Sequence, residues 1–288
     1  MKLTLPHISL AAIGPTLLGV LVVALALLVH PAPRPSLAPA SAVVAMVDAP
    51  ERPIMPGEAT ATHETLNGTY IPVQSLDVVL ADGLIPLAEQ QAFAQEIEQA
   101  LSYVSSRFGS GPRGRINAYV GVEASCGIHG IAYTGERMVQ VYTCATLPRV
   151  RAVNILAHEL VHQLAHDHYG SRHLQADLIL LEGLATWGAG SYWLNGEERF
   201  SAFVRPWIAA GSGLPLATSY VGRPIGDMNT LYYQWASFVE FLMQVYGRER
   251  FDALYVTGNS EPGSADYQGV YGKPLEVLEQ EWRAWVVQ

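Results

Sequence analysis

Four of the chain's nine histidines fall inside "LAHELVHQLAHDHYG", residues 156–170. His158 and His162 bracket Glu159 in the order His-Glu-x-x-His. On a helix, residues four apart lie about one turn apart on the same face. The two imidazoles would therefore aim at one point, as a tetrahedral metal requires. Glu159 is rotated by about 100° from His158. It stays near such a metal without having to bind it, and can take a proton from an attacking water. The chemistry implied is hydrolysis assisted by zinc. Leu156, Leu160, Val161 and Leu164 give the helix an apolar remainder to bury, which would fix and dry the site. A polar helix face with incidental histidines is the alternative.

A third protein ligand is needed, and two residues compete for the place. His168 completes "HELVHQLAHDH", close to the metzincin pattern His-Glu-x-x-His-x-x-Gly-x-x-His. Ala165 stands where that pattern has the glycine whose left-handed turn brings the third histidine round. Neither Met228 nor Met243 lies in a methionine-turn context. Glu182 lies in "LILLEGLATWGAGSYW", which has the pattern of a buried helix. A carboxylate in the middle of such a helix needs a partner. A divalent metal would be one, and an arginine such as Arg172 another. The offset of 20 residues between His162 and Glu182 leaves room for a turn around "DHYGSRH" and a returning helix.

These side chains need elements to hold them. From Pro148 onward the sequence predicts mostly helices, at about 149–168, 174–194, 197–210, 229–246, 248–256 and 274–287. Ahead of them, "HETLNGTYIPVQSLDVVLADG" predicts one or two strands, and "RINAYVGV" (115–122) and "RMVQVYT" (137–143) two more. Between these, Leu87, Phe93, Ile97, Leu101, Val104 and Phe108 recur at helical spacing, and Gly109 ends the run. Strands first and helices later imply an α+β domain: a small N-terminal β-sheet with a helix, then a mostly helical catalytic subdomain. Cys126 and Cys144 flank an expected hairpin and are expected to form a disulfide, worth about 3 kcal/mol for a loop of this size. As metal ligands with His129 they lack tight spacing.

"HELVHQ" followed by "EGLATW" resembles the gluzincin metallopeptidases, in particular the peptidase MA-like domains, distant relatives of thermolysin and the zinc aminopeptidases. "LYYQWASFVEFLMQVYG" resembles the helix those domains carry after the third ligand, and "LEVLEQEWRAWV" their last helix, so the likeness covers roughly residues 64–288. It implies a zincin-like subdomain with Zn2+ on His158, His162 and Glu182, Glu159 as general base, and a peptide or protein substrate. The family's tyrosine four residues before "SF" points to Tyr233, rather than its neighbour Tyr232, as support for the oxyanion. Two positions depart from the pattern. Thr186 stands where thermolysin-like enzymes place an aspartate that orients a zinc histidine, which leaves Asp177 as a candidate substitute. No amine-binding motif precedes the zinc helix, which favours an endopeptidase. The strand at 137–143 is expected to be an exposed edge that pairs with an extended substrate. His166, one turn beyond His162, suits a helix C-terminus.

Residues 8–29 carry no charge for 22 positions, about enough to cross a ~30 Å hydrocarbon core. Residues 1–30 are therefore expected to be a signal anchor or signal peptide that places the rest outside the cytoplasm. Seven of the 18 prolines fall in 30–60, so 31–60 is expected to be a linker, leaving 61–288 as the catalytic domain. The formal net charge is -9, and Lys2 and Lys273 are the lysines. Without a basic stripe, nucleic-acid binding is disfavoured. The rival class is a non-catalytic, zinc-stabilised module tethered to a membrane, against which the intact Glu159 speaks.

Overall fold

Strands β1 (Thr69–Pro72), β2 (Leu76–Leu80), β3 (Ile116–Val122), β4 (His129–Tyr133) and β5 (Met138–Thr143) form one sheet in the order β1-β2-β3-β5-β4. This computed structural model describes residues 66–194, 197 and 199–288. The segments expected to be an anchor (8–29) and a linker (31–60) lie outside the described residues. No described helix is long and apolar enough to cross a membrane. β2, β3 and β5 run parallel, and β1 and β4 close the edges in antiparallel pairing. Leu76, Val78 and Leu80 alternate into the core, the period of two that a half-covered strand requires.

Helix α1 (Leu87–Phe108) buries Phe93, Ile97, Leu101, Val104 and Phe108 at the expected spacing. Leu87, in its first turn, is exposed instead. Gly109 closes the helix at φ 97°, a left-handed cap that favours glycine. Helix α2 (Arg149–Tyr169) begins after Pro148 and runs unbroken through Ala165. An ion pair of 2.6 Å from Arg137 to Asp167 ties its far end to the start of β5, so α2 runs antiparallel to β5.

Helix α3 (Leu178–Ala189) begins at Asp177, whose carboxylate accepts from the Ile179 N–H at 2.9 Å. That cap, after a 3-10 stretch at Gly170–Gln175, starts the helix later than the expected 174. α3 is packed between α2 and α5 (Ile225–Phe241). A Cβ on Gly188 would lie 2.7 Å from Val161, and one on Gly183 would lie 2.8 Å from the Trp235 carbonyl. The two glycines let the three helices approach closely. Helices α4 (Phe200–Ala209), α6 (Arg248–Tyr255), α7 (Tyr267–Tyr271) and α8 (Leu275–Val286) complete the helical half. The Trp282 indole reaches into it and donates to the Ser237 hydroxyl at 3.1 Å.

The α+β expectation holds, with the sheet first and the helices after it. Its detail is corrected at the sheet edge. The strand expected there, 137–143, is β5, and it is interior, paired with β3 on one side and β4 on the other. The chain reverses through the 3-10 turn Thr134–Glu136, which places β4 outside β5. The edge on this side is therefore β4, partly exposed along its whole length. Cys126 and Cys144 are bonded, fastening the approach to β4 to the end of β5.

Candidate metal centre

α2 presents His158 and His162 one turn apart, and α3 brings Glu182 to face them. The His158 Nε2 lies 3.1 Å from the Glu182 Oε2 and 3.1 Å from the His162 Nε2. The His162 Nε2 lies 3.7 Å from the same carboxylate oxygen. One ligand atom from each residue falls within 4.8 Å of the others, and no other His/Cys/Asp/Glu group among the described residues does so. Two ligands bound about 2.0–2.1 Å from a tetrahedral zinc sit roughly 3.3 Å apart, so the spacing fits. The donor chemistry fits as well. Two facing imidazole nitrogens can share one proton, whereas a cation answers both nitrogens and the carboxylate together. Two histidines and one carboxylate also leave a coordination position open.

Electrostatics mark the same point. Burial lowers the His158 pKa, against the pull of the Glu182 hydrogen bond. Burial also opposes charge on His162, yet the hydrogen bond and negative charge of Glu182 raise it. Burial works against the Glu182 carboxylate, but the hydrogen bonds from His158 and His162 hold it below its ordinary value. Glu159 accepts no hydrogen bond among the described residues, and burial pushes it up to about 8. A Cβ on Gly130 would lie 2.5 Å from the Glu159 Oε1, so strand β4 passes directly against that carboxylate.

The surroundings sort the remaining candidates. Thr186, one turn beyond Glu182, places its hydroxyl 3.4 Å from the His158 Nδ1, the contact that an aspartate would make in thermolysin-like enzymes. Asp177 does not substitute. Its carboxylate is fully buried and accepts from the backbone of Ile179, Gly263 and Ala265 and from the Tyr267 hydroxyl. His168 points away: α2 does not break at Ala165, and the His168 ring packs edge-on to Phe108, 4.0 Å from the Asp252 carboxylate. Arg172 bonds Gln175, not Glu182. His166 sits in the last turn of α2.

The structure does not bring Tyr233 to the cluster. Its ring stacks on Phe203 at 4.4 Å and meets Trp207 edge-on at 5.9 Å, both on α4. Tyr232 is rotated by about 100° from it on α5 and faces the site. Its ring lies 5.8 Å from that of His158, and after burial the nearby Glu182 charge raises its pKa further. Trp193 also packs against His158, at 5.0 Å, and lies 6.4 Å from the Tyr232 ring. His173 lies 5.5 Å from the His162 ring, with its Nδ1 2.9 Å from the Tyr255 hydroxyl. Sequence reasoning singled out neither Trp193 nor His173. Tyr232 did carry a signal, since it lies three and seven residues before Trp235 and Val239, the α5 residues that meet Gly183.

No protein-family model matches the sequence, and no curated protein sequence matches it significantly. Solved structures similar to the chain include an M1 zinc metallopeptidase from Deinococcus radiodurans, with 21% identity over 76% of this chain and a TM-score of 0.41. A mutant from the same organism bound to a Tyr-Ser-Ala substrate is 19% identical over 77% of this chain, with a TM-score of 0.39. The chain spans 51% of the length of each.

Proposed function

We propose that this chain is a zinc-dependent peptidase that uses water to cut peptide bonds. The observation that carries the reading is the convergence of His158, His162 and Glu182 within 4.8 Å, beside a buried carboxylate, Glu159, that belongs to no hydrogen bond. A zinc ion held by the three ligands would supply a Lewis acid that polarises the scissile carbonyl, acidifies water and favours the ionised form of Glu159. Glu159 then takes a proton from water as it attacks, and returns it to the departing amine. The Tyr232 hydroxyl, its ring beside His158, would donate to the oxyanion as it develops. Thr186 holds the His158 ring from behind. The free edge of β4, lying against Glu159, offers backbone groups to an extended substrate. The Cys126–Cys144 disulfide supports an oxidising compartment, in keeping with an anchored domain outside the cytoplasm.

Metal analysis joined to a peptide-library assay tests this. Glu159→Gln is expected to abolish cleavage and keep zinc. Glu182→Ala is expected to lose zinc, while His168→Ala keeps it. Full activity in Glu159→Gln, or unchanged zinc in Glu182→Ala, would overturn the proposal.

A further inference from the structure

Arg151 is a half-buried cation that the mechanism leaves idle. The other half-buried arginines among the described residues are tied off. Arg137 pairs with Asp167, Arg149 with Glu89 and Glu96, Arg248 with Asp252 and Arg283 with Glu279. Arg107 donates to the Trp187 carbonyl. The Arg151 guanidinium makes no hydrogen bond or ion pair with any described residue, yet its nitrogens are not sealed off from solvent. Burial pulls its pKa below the ordinary value, and Tyr233 is the titratable group that faces it. A cation that is withdrawn from water and unpaired, but still reachable, is arranged for a ligand's negative charge.

Its position says where that charge would sit. Arg151 precedes His158 by seven residues, two turns of α2, so it lies within about 20° of the same helical stripe. The rise is about 10 Å, or roughly three residues of extended peptide. The direction also follows. α2 runs antiparallel to β5 because its far end is tied to the start of that strand. β4 is antiparallel to β5 and so runs the same way as α2. Its Gly130 lies against both Ile155 and Glu159. A peptide that pairs antiparallel with β4, the better-stabilised pairing, would run C-terminally toward Arg151.

We infer that Arg151 is a specificity-determining residue that binds a substrate carboxylate about three residues beyond the scissile bond on its C-terminal side. The carboxylate is either a free C-terminus or an acidic side chain. The inference rests on the peptidase reading above and deepens it.

Binding to the full chain carrying Glu159→Gln, loaded with zinc, tests it without turnover. Calorimetry would compare peptides that end three residues past a library-defined cleaved bond as the free acid or the amide. Longer peptides with Glu or Gln at that third position form the second pair. A carboxylate is expected to tighten binding roughly tenfold in at least one pair, and the pair that responds identifies the source. Adding Arg151→Gln should erase the preference, and Arg151→Glu should shift it toward Lys at the same position, with circular dichroism confirming the fold. Equal affinities within both pairs on the Arg151 protein overturn this inference alone. A wild type that cleaves no library peptide, together with a Glu159→Gln chain that binds none, overturns the peptidase reading and this inference with it.

Discussion

Tyr232 and Tyr233 are adjacent in sequence and serve different neighbours. The ring of Tyr232 lies beside His158, whereas the ring of Tyr233 is packed under α4. Burial raises both phenols above their ordinary values, so both stay protonated and able to donate at neutral pH. Only Tyr232 lies beside the cluster. Removing one oxyanion donor costs about 10²–10³ in kcat. Tyr232→Phe is therefore expected to lower kcat by roughly 10²-fold with little change in KM. Tyr233→Phe should leave kcat near the wild-type value. Steady-state kinetics on one cleaved peptide separates the two, and a larger kcat loss in Tyr233→Phe would mean that the roles are reversed. At this scale the sequence was legible where one turn of one helix carries the information. His158, Glu159 and His162 follow from spacing alone. A charge inside a buried helix makes Glu182 a candidate beside His168, and the gluzincin resemblance favours Glu182. Choosing between two consecutive tyrosines depends on how α5 is rotated against α3. That rotation is set by Gly183, whose missing side chain admits the Trp235 carbonyl and Val239.

The elements were legible in proportion to how local their causes are. α1 and α2 came from apolar spacing and terminal Pro and Gly residues, and the later helices were displaced at their ends. The expected start of α3 missed because Asp177 is a cap whose other partners, Gly263, Ala265 and Tyr267, lie far along the chain. The first arm of the expected hairpin has no bounds legible in the sequence, because "HGIAY" has no strong alternation of its own. Its place outside β5 is a property of the whole sheet, so the edge expected at 137–143 lies instead at β4. Gly130 shows how tightly this strand is set. Alanine there would place its Cβ 2.5 Å from both the Ile155 Cγ2 and the Glu159 Oε1. Either β4 lifts from α2 or the Glu159 carboxylate is displaced. Gly130→Ala is expected to cost about 1–3 kcal/mol of stability and to lower kcat/KM, measured by urea unfolding and peptide turnover. Gly127→Ala is the control, since its nearest neighbour would be 3.5 Å away. Wild-type stability and turnover in Gly130→Ala would show that the strand does not press on the helix.

Across the whole molecule, α3 is the element through which the two halves communicate. Its Glu182 meets α2, its Gly183 admits α5, and the Asp177 that begins it gathers the loop before α7. An ion held by the three ligands would cross-link α2 to α3 at the centre of this arrangement, so its binding energy should appear in global unfolding. Free zinc at a hundred times its Kd adds about 2.7 kcal/mol. In a domain of this size that shifts Tm by roughly 5–10 °C. Calorimetric scans with excess zinc and with a chelator should differ by that amount. Glu182→Ala should remove the difference, because it deletes a ligand. Asp177→Ala should lower both transitions and keep the difference, because it leaves four donors, three of them buried, without an acceptor and touches no ligand. If zinc leaves the Tm of the unaltered chain unchanged, the cluster does not hold the ion, and the convergence of its three side chains needs another cause. If Asp177→Ala also erases the zinc increment, the knot at the start of α3 is what places Glu182, and the centre depends on a residue nearly 90 positions from its bonding partners in sequence.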